Sequence, residues 1–310
     1  MNGNDELMVQ AAWLYYEARL THEEIAAQLH KSRVAVTRLL KRARQEGIVR
    51  ITITRPLPAE FELEVLLKKA FHLRTAVVVN PGSTTADTLE RLGQAGARLL
   101  LQLIFPGCRL GMAWSSTLSH LVNYLEKSNP PIPFTVHELA GTYLGLATPY
   151  GIASRVAENM GVSLESLPVP VFVQTQEAFE ALMKEERIRA ALQHAAEVDL
   201  ALVGLGNLCA DCTLVQTGFL TPEGSEQLQH RGAVGDILMR FYDAQGRHVP
   251  TPQDNQVIAL TWEQLRRIPH IVAVAAGPAK VDALLGALRG QLIHSMVTDT
   301  DTARSILECA

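Results

Sequence analysis

Short runs of apolar and β-branched residues alternate with helix-patterned segments over most of this 310-residue chain, and this alternation restricts its fold more than any other feature. Such runs are typical of strands buried on both faces, and amphipathic segments between them supply the crossovers that parallel strands need. The pattern predicts an α/β domain with a mostly parallel sheet. The expected strands are TAVVVN, CRLGMAW, FTVHELA, VPVFV, DLALVGLG, IVAVAAG and LIHSMVT.

The front of the chain has a different pattern, and the total length suits two domains better than one small core. The segment RPLPAE contains two prolines and is interpreted as a hinge. We therefore place the domains at residues 1–55 and 56–310. An amphipathic helix should follow the hinge, with its apolar stripe formed by Leu63, Leu66, Leu67 and Ala70.

Three helices are expected before the hinge. The first is predicted by apolar residues at helical spacing, namely Leu7, Met8, Ala11, Leu14, Tyr15 and Ala18. Thr21 and Glu24 have the spacing of a capping box, which begins the second helix, and Ser32 is a further N-cap that begins the third. Gly47 supplies a C-terminal stop, after which IVRITIT is interpreted as a strand, so that the domain is winged-helix-like.

The second and third helices, joined by HKS, form a helix-turn-helix pattern whose outer face could enter the major groove of DNA. On such a face arginine binds guanine with two hydrogen bonds, and threonine or valine contacts the thymine methyl. Arg42, Arg44 and Arg50 are placed for phosphate contacts. The candidate DNA-binding residues are Ser32, Arg33, Val34, Thr37, Arg38, Lys41 and Arg42.

Charge supports a polyanion partner for this front segment. Residues 1–55 hold nine Lys/Arg and six Asp/Glu, a net of +3, which leaves −7 for the rest of a chain whose total is −4. The alternative from the same residues is a helical hairpin with a solvated basic face, serving as a dimerisation arm.

Longer motifs carry a specific resemblance. LTHEEIAAQLHKSRVAVTRLLKRARQEGIVRITI, GMAWSSTL, RGAVGDILMRFYDAQGR, LRRIPHIVAVAAGPAK and ALRGQLIHSMVTDTDTA, in this order, resemble the SorC family of sugar-responsive bacterial transcription regulators over nearly the whole chain. The resemblance implies an effector domain similar to sugar-phosphate isomerases, a phosphorylated-sugar effector, operator DNA as partner and a homo-oligomer, a tetramer or a dimer. His30 and Lys31 depart from the usual Gly and aliphatic residue of the turn, but His tolerates a left-handed backbone.

Two strand-to-helix corners are candidate effector loops. Ser115, Ser116 and Thr117 precede a helix, and Gly277 and Lys280 mark a second corner, so both could meet one anion at the carboxyl ends of the strands. The resemblance assigns further roles: Asp236 matches an acidic residue that bonds effector hydroxyls, Lys280 matches a pocket lysine, and Met112 and Leu238 match pocket-lining positions. From the residues alone, Asp236 could instead cap a helix and Lys280 could be solvated.

Three positions depart from the family pattern. Ala276-Gly277 and Gly141-Thr142 stand where paired glycines are usual, and Tyr150 stands where many members carry Asn. The pocket wall should therefore differ, and a polyol or a non-standard sugar phosphate stays open as the effector.

Other patterns are set aside. Cys209 and Cys212 have CxxC spacing, but no second pair or nearby histidines complete a metal site, and we interpret them as loop residues. GLGNLC lacks the third glycine of a dinucleotide motif, so no cofactor is expected. A sugar-phosphate isomerase with Asp236 and Lys280 as acid and base is the rival, although no Walker loop, metal set or carboxylate–histidine pair supports turnover.

The location of the protein is expected to be the cytoplasm. Four cysteines fit a reducing compartment, MNGNDELMVQ lacks the features of a secretion signal, and no apolar run approaches the length of a membrane span. We expect a regulator of a carbohydrate operon that acts as a repressor, although the residues alone do not distinguish a repressor from an activator.

Overall fold

The computed structural model forms two compact units, Met1–Leu57 and Pro58–Ala310. The expected strand IVRITIT and the hinge RPLPAE fall largely outside the described part of the chain, as do Arg50 and Tyr150. The residues that the structure describes are 3–49, 58–126, 132–142, 151–210 and 212–310.

In residues 3–49 the smaller unit consists of three helices, α1 (Gly3–Tyr16), α2 (His22–Gln28) and α3 (Arg33–Gln45). Their apolar stripes meet in one core, because residues spaced three and four apart share one side of a helix. Tyr15 and Ala18, which the sequence placed on the stripe of α1, are exposed, and the helix ends before Ala18. The buried residues are Met8, Ala11, Ala12, Leu14, Ile25, Ala26, Val36, Leu39, Leu40 and Ala43.

Local signals at the helix ends are confirmed. The Thr21 hydroxyl accepts a hydrogen bond from the Glu24 N–H, and the Glu24 carboxylate accepts one from the Thr21 N–H, which completes the capping box. The Ser32 hydroxyl accepts from the Ala35 N–H and caps α3. His30 adopts the expected left-handed backbone with φ of 51°, which turns the chain between the two helices.

Replacing Thr21 with alanine should open α2 more often without unfolding the larger unit. The change removes the side-chain half of the capping box, a loss typically of about 1 kcal/mol. Hydrogen exchange of the α2 amides in the full chain should therefore quicken about five-fold. Thr21→Ser keeps the hydroxyl and should exchange as the parent protein does; equal exchange in all three proteins would show that the cap contributes nothing.

A parallel sheet forms the centre of the larger unit, in the order β1-β10-β9-β5-β2-β3-β4, and every pairing in it is parallel. A second, antiparallel sheet has the order β6-β7-β8. The strands are β1 (Thr75–Val79), β2 (Arg109–Met112), β3 (Thr135–Glu138), β4 (Ser163–Glu165), β5 (Leu200–Val203), β6 (Gly206–Asn207), β7 (Ala233–Ile237), β8 (Arg240–Asp243), β9 (His270–Val274) and β10 (Ser295–Asp299).

Helices connect these strands and cover the parallel sheet. In the described residues they are α4 (Ala59–Phe71), α5 (Thr85–Leu103), α6 (Ser116–Leu121), α7 (Ile152–Met160), α8 (Gln176–Lys184), α9 (Glu186–Ala195), α10 (Thr213–Gln216), α11 (Pro222–His230), α12 (Trp262–Leu265), α13 (Val281–Arg289) and α14 (Thr300–Glu308). Short 3₁₀ turns lie at Val122–Tyr124, Pro252–Gln256 and Pro278–Lys280. Within the described ranges none of these helices has both the length and the apolar composition to cross a bilayer.

The sheet has a hydrophobic core on each face, as its sequence pattern predicts. Along β5, Leu200 and Leu202 belong to one core and Ala201 and Val203 to the other, and all four are buried. Successive side chains of a strand point to opposite faces, so a strand covered on both sides must be apolar throughout. The expected α/β class with a mostly parallel sheet is confirmed.

Two expectations about single elements were wrong, and one sheet was not expected. VPVFV is not a strand of the sheet: within it, Pro170 and Phe172 make isolated bridges, and the edge strand β4 comes earlier in the chain. No sequence pattern predicted the antiparallel sheet β6-β7-β8. On α4, Leu63 and Leu67 are buried, but Leu66 and Ala70 are exposed, so the buried stripe is narrower than expected.

The topology fixes where a cavity can open. From β2 the chain proceeds outward through β3 and β4 on one side, and from β5 it proceeds through β9 and β10 on the other. The loops that leave the neighbouring strands β2 and β5 therefore diverge. Such a switch point leaves a crevice beyond the carboxyl ends of the strands, where open α/β sheets bind ligands.

Candidate functional site

A cavity of about 350 Å³ lies at this switch point, and we call it the switch-point cavity. Loops after β2, β5 and β9 supply most of its wall, and the antiparallel sheet and α10 supply the rest. Its lining residues are Ala113, Trp114, Ser115, Ser116, Thr117, Gly204, Leu205, Gly206, Thr213, Leu214, Gln216, Thr217, Asp236, Leu238, Val274, Ala275 and Lys280.

Six of the seven effector residues predicted from sequence meet in this cavity: Ser115, Ser116, Thr117, Asp236, Leu238 and Lys280. Met112 is the exception. It is the last residue of β2, only 2% exposed, and lies in the core with its side chain beside a smaller neighbouring cavity that Gly141 and Thr142 also line. Met112 does not line the switch-point cavity.

Asp236 is a fully buried carboxyl group in strand β7, and not a helix cap. One oxygen, Oδ2, accepts a hydrogen bond of 3.0 Å from the Met239 N–H. The other, Oδ1, has no hydrogen-bond partner among the described residues. Burial raises the pKa of Asp236 to about 6, against the opposing effects of the Met239 N–H and the Lys280 ammonium group. Above this pKa the carboxylate is ionised, and its Oδ1 keeps unused acceptor capacity at the wall of the cavity that Asp236 lines.

The same carboxylate holds a strained turn. Leu238 and Met239 connect β7 to β8 and both have positive φ, 54° and 61°, a conformation that a two-residue hairpin requires and that non-glycine residues rarely adopt. The hydrogen bond from the Met239 N–H to Asp236 stabilises this turn. It places Leu238, which is 6% exposed, in the cavity wall. Strain of this kind at a cavity is common where a side chain must be positioned for binding.

Lys280 is anchored beside the cavity and is not a solvated surface residue. Its Nζ donates to the Leu205 carbonyl oxygen and to Asn207 Oδ1, both at 2.8 Å. Burial lowers the pKa of Lys280, and the carboxylate of Asp236 opposes this shift. An ammonium group has three N–H donors, so after these two bonds one donor is left for a ligand.

Two glycines in the loop after β5 allow close approach to the site. A Cβ on Gly206 would lie 1.6 Å from Asp236 Oδ1, and one on Gly204 would lie 2.5 Å from Ser115 Oγ. Ser115 itself begins α6, its hydroxyl accepting from the Leu118 N–H at 3.5 Å. Both positions exclude a side chain because the β5 loop packs directly against polar groups of the cavity.

Sequence reasoning missed this third loop and the contribution of α10. GLGN was examined only as a dinucleotide motif, although glycine directly after a buried strand is also a signal of close backbone approach. Thr213, Gln216 and Thr217, which add polar groups to the wall, lie too far along the chain from any recognised motif to be found by spacing.

The substitution Asp236→Asn should remove one pH-dependent contribution to the stability of the larger unit, so that the difference in stability between the variant and the parent changes with pH. The folded-state pKa of this carboxyl is raised from 3.8 to about 6. Protonation of Asp236 therefore stabilises the folded state fully below pH 3.8, and this contribution to the free energy of unfolding is lost as pH rises through 6. A shift of this size corresponds to about 3 kcal/mol. Relative to the parent, the variant should therefore gain up to about 3 kcal/mol between pH 4 and 7.

Urea unfolding of both proteins across this range measures the difference directly. Burial lowers the pKa of His270 to about 4 and also lowers that of His294, so these two groups change stability in the opposite sense. Both histidines are common to the two proteins, and their effect cancels in the difference. Parallel stability curves would contradict the assigned state of Asp236.

A larger surface cleft of about 560 Å³ lies elsewhere in this unit and is lined in part by Arg240, His248, Asp254 and Trp262. The side chains of Arg240, His248 and Asp254 already have partners. The buried Arg240 guanidinium donates to the carbonyl oxygens of Leu260 and Asp254 and lies 3.6 Å from the Asp254 carboxylate. Because these groups satisfy one another, the cleft offers a ligand less than the switch-point cavity does.

In the smaller unit, α3 presents the expected exposed face, and Arg33, Val34, Thr37, Arg38 and Lys41 all lie on it. Arg33 forms an ion pair of 2.9 Å with Glu23, and the Thr37 hydroxyl donates to the Arg33 carbonyl oxygen. Among the described residues Arg38 and Lys41 make no hydrogen bond or ion pair. Arg38 and Lys41 can therefore bind another molecule without first breaking an internal hydrogen bond or ion pair.

The flanking arginines are held by neighbouring side chains. Arg42 forms a 2.7 Å ion pair with Glu46, and Arg44 donates to the Tyr16 hydroxyl at 2.7 Å. Exposed helix pairs of the first kind contribute only about 0.3 to 0.5 kcal/mol, so Arg42 could exchange Glu46 for a phosphate at little cost. Arg44, which also lies over the Tyr16 ring, serves the packing of α1 against α3.

Comparison with known proteins agrees with this architecture. Residues 55–308 match the family model described as a putative sugar-binding domain. The transcriptional regulator LsrR of Enterobacter sp. (strain 638) is 32% identical over 99% of this chain and 94% of its own length. The sorbitol operon regulator of Klebsiella pneumoniae is 30% identical over 99% of this chain and 100% of its own.

Solved structures show the same relationship. The full-length sorbitol operon regulator SorC from Klebsiella pneumoniae superposes with a TM-score of 0.77 at 29% identity, covering 98% of this chain and 99% of that one. The fold and its relatives define a sugar-binding transcriptional regulator and not an enzyme. The chain belongs to the SorC family, as its motifs indicated.

Proposed function

We propose that this regulator controls a carbohydrate or polyol catabolic operon by binding a phosphorylated sugar in the switch-point cavity. The observation that supports this most is the pairing of a buried carboxylate, Asp236, which has an unused oxygen, with an anchored ammonium group, Lys280, which has an unused donor. A carboxylate accepts hydrogen bonds from sugar hydroxyls, and an ammonium group binds phosphate.

The backbone and hydroxyls of Ser115, Ser116 and Thr117 would receive the phosphate together with Lys280. They follow β2 at the wall of the cavity, and two of the three carry their hydroxyls at the start of α6. Leu238 would pack against the carbon chain. The relatives include regulators named for sorbitol and erythritol, so a phosphorylated polyol is as suitable a candidate as a cyclic sugar phosphate.

For DNA, α3 would lie in the major groove. Arg38 and Lys41 would contact base edges with Arg33, Val34 and Thr37, while Ser32 and Arg42 would contact phosphates. One small unit offers few base contacts, so selective binding calls for two or more copies and half-sites about 34 to 36 Å apart or at multiples of that distance. A tetramer acting as a repressor in the cytoplasm is the form we propose.

A ligand panel tests the effector half of this proposal. Ribose 5-phosphate, fructose 6-phosphate, sorbitol 6-phosphate and erythritol 4-phosphate are each compared with the unphosphorylated compound. At a concentration 100 times its Kd, an effector should stabilise the protein by about 2.7 kcal/mol, which raises the Tm by several degrees. Conversion of a ligand to product, or equal stabilisation by the unphosphorylated compounds, would overturn the proposal.

A further inference from the structure

Cys209 and Cys212 lie directly beside the switch-point cavity, between β6 and α10. The Cys212 N–H donates to the Cys209 carbonyl oxygen at 3.1 Å, which closes a turn between the two residues. The Cα atoms at the ends of such a turn are within about 7 Å, and a disulfide spans about 4.4 to 6.8 Å. Both residues are thiols in the structure, Cys209 partly exposed and Cys212 buried. The backbone therefore already holds the pair near bonding distance.

One side chain connects this pair to the effector site. Asn207 donates through Nδ2 to Cys209 Sγ at 3.0 Å, and its Oδ1 accepts from Lys280 Nζ at 2.8 Å. Cys209 thus orients the amide that anchors the lysine. A negative charge on either cysteine, present when it is a thiolate, opposes the lowering of the Lys280 pKa by burial.

The second cysteine is connected to the opposite wall. Cys212 immediately precedes α10, and four residues from Thr213 to Thr217 line the cavity. A change in the backbone at Cys212 is therefore transmitted to polar groups that face the ligand. The CxxC spacing was interpreted as an ordinary loop because no metal partner accompanies it; the contacts with Asn207 and α10 are visible only in the fold.

We propose that Cys209 and Cys212 form a reversible disulfide, which releases Asn207 from Lys280 and weakens effector binding. The second part of this inference rests on the proposed function of the cavity. The response of the regulator would then depend on the oxidation state of Cys209 and Cys212 as well as on its effector.

The oxidant is a low-molecular-weight disulfide of the glutathione type. The Cys209 thiol loses its proton and attacks one sulfur of the oxidant; a mixed disulfide forms, and one glutathione thiolate leaves and takes up a proton. The Cys212 thiolate then attacks Cys209 Sγ, breaks the mixed disulfide and releases the second glutathione thiolate, which takes the proton that Cys212 lost. Two protein thiols are oxidised and one small disulfide is reduced to two thiols.

Bond formation changes the position of Cys209 Sγ. The two sulfurs of a disulfide lie about 2.05 Å apart, so Cys209 Sγ must turn towards Cys212 and away from Asn207. Asn207 then loses the acceptor that orients its amide, and Lys280 keeps only the Leu205 carbonyl oxygen as a fixed partner. We expect the reactivity of the Lys280 amine towards an acylating reagent to rise at least three-fold.

The test uses the full chain carrying Cys309→Ser, which prevents disulfides between molecules through the exposed Cys309. The protein is equilibrated in buffers of reduced and oxidised glutathione, and peptides are analysed by mass spectrometry. A peptide containing both cysteines should lose two hydrogen masses, and brief treatment with an acetylating reagent should label Lys280 at least three-fold faster in the oxidised protein.

Cys209→Ser in the same background is the matched control and should show neither the loss of mass nor the faster labelling of Lys280. If Cys209→Ser folds poorly, Cys212→Ser replaces it, because it prevents the same disulfide. The proposal is overturned if Cys209 and Cys212 still react with a thiol reagent after treatment with oxidising buffer, or if either forms a disulfide with Cys108. It is also overturned if the rate of Lys280 labelling is unchanged once the Cys209–Cys212 disulfide has formed. Labelling of Lys280 needs no ligand, so it tests the disulfide proposal even if no sugar phosphate binds the reduced protein. Failure of every sugar phosphate to bind would count against the proposed function and not against the disulfide.

Where a sugar phosphate does stabilise the reduced protein, its affinity for the oxidised protein should be three- to ten-fold weaker. Equal affinity for both forms would show that the disulfide has no regulatory effect on the cavity. The same comparison in Cys209→Ser should give one affinity under both conditions.

Discussion

Arg38→Ala is expected to weaken binding of the regulator to its operator by at least roughly 30-fold. A bidentate contact between arginine and guanine contributes about 1 to 3 kcal/mol of discrimination, and two DNA-binding units double the loss. Arg38 is exposed on α3 and makes no internal hydrogen bond or ion pair among the described residues, so its removal should leave the fold intact. Fluorescence anisotropy with labelled operator DNA at one fixed salt concentration measures the effect.

Arg187→Ala is the matched control, since Arg187 is an equally exposed arginine on α9 of the larger unit. It should bind DNA as the parent protein does. Both variants should keep the thermal shift caused by the effector. If Arg38→Ala lowered affinity equally for operator and random DNA, and reduced the dependence on salt by about one ion, Arg38 would be a phosphate contact and not a base-reading residue.

Lys280→Ala is expected to abolish the stabilisation by sugar phosphate while DNA binding persists. Removing one partner of a buried, hydrogen-bonded charge pair costs about 2 to 5 kcal/mol, which weakens ligand binding roughly 30-fold or more. Operator DNA bound to this variant should no longer respond to the effector. Thermal shift and anisotropy, measured with the ligand that stabilises the parent protein, give the two readings.

The exposed Lys184 on α8 provides the control for charge alone, and Lys184→Ala should respond normally. Lys280→Ala leaves the Asp236 carboxylate without a nearby cation, so some loss of stability in the absence of ligand is expected and does not affect the comparison of shifts. A variant that retained the full ligand-induced shift would remove Lys280 from the site.

Features that depend on neighbouring residues were predicted well from the sequence. The capping box at Thr21, the cap at Ser32 and the left-handed turn at His30 each involve atoms within a few positions of one another. The alternation of apolar runs and helices also predicted the parallel sheet, because a strand buried on both faces needs a continuous apolar run. In each case the information lies in one short segment of the chain.

Features that depend on distant segments were missed or misplaced. VPVFV is apolar enough for a strand, but whether it pairs depends on segments remote in sequence, and it makes only isolated bridges. The hairpin at Leu238 and Met239 carries none of the glycine or asparagine that signals such a turn, because Asp236 stabilises it from within the fold. Met112 was assigned to the cavity by resemblance, but in the fold it lines the smaller neighbouring cavity instead.

The electrostatic features of the site were also beyond the sequence. An aspartate and a lysine could be named as partners of a phosphorylated sugar, yet their burial and the Lys280 anchors appear only when the β5 loop and β7 are brought together. The link from Cys209 through Asn207 to Lys280 spans three separate segments and has no counterpart in any motif.

Footprinting on DNA upstream of the genes that lie next to the gene for this protein shows whether the regulator binds DNA at regularly spaced sites. The full chain should protect two or more segments whose centres lie about one helical turn, or multiples of it, apart. A stabilising sugar phosphate should change the protein concentration needed for protection by about 5- to 150-fold. Absence of protection, or protection that neither Arg38→Ala nor the effector alters, would show that the protein is not a DNA-binding regulator that senses a phosphorylated sugar.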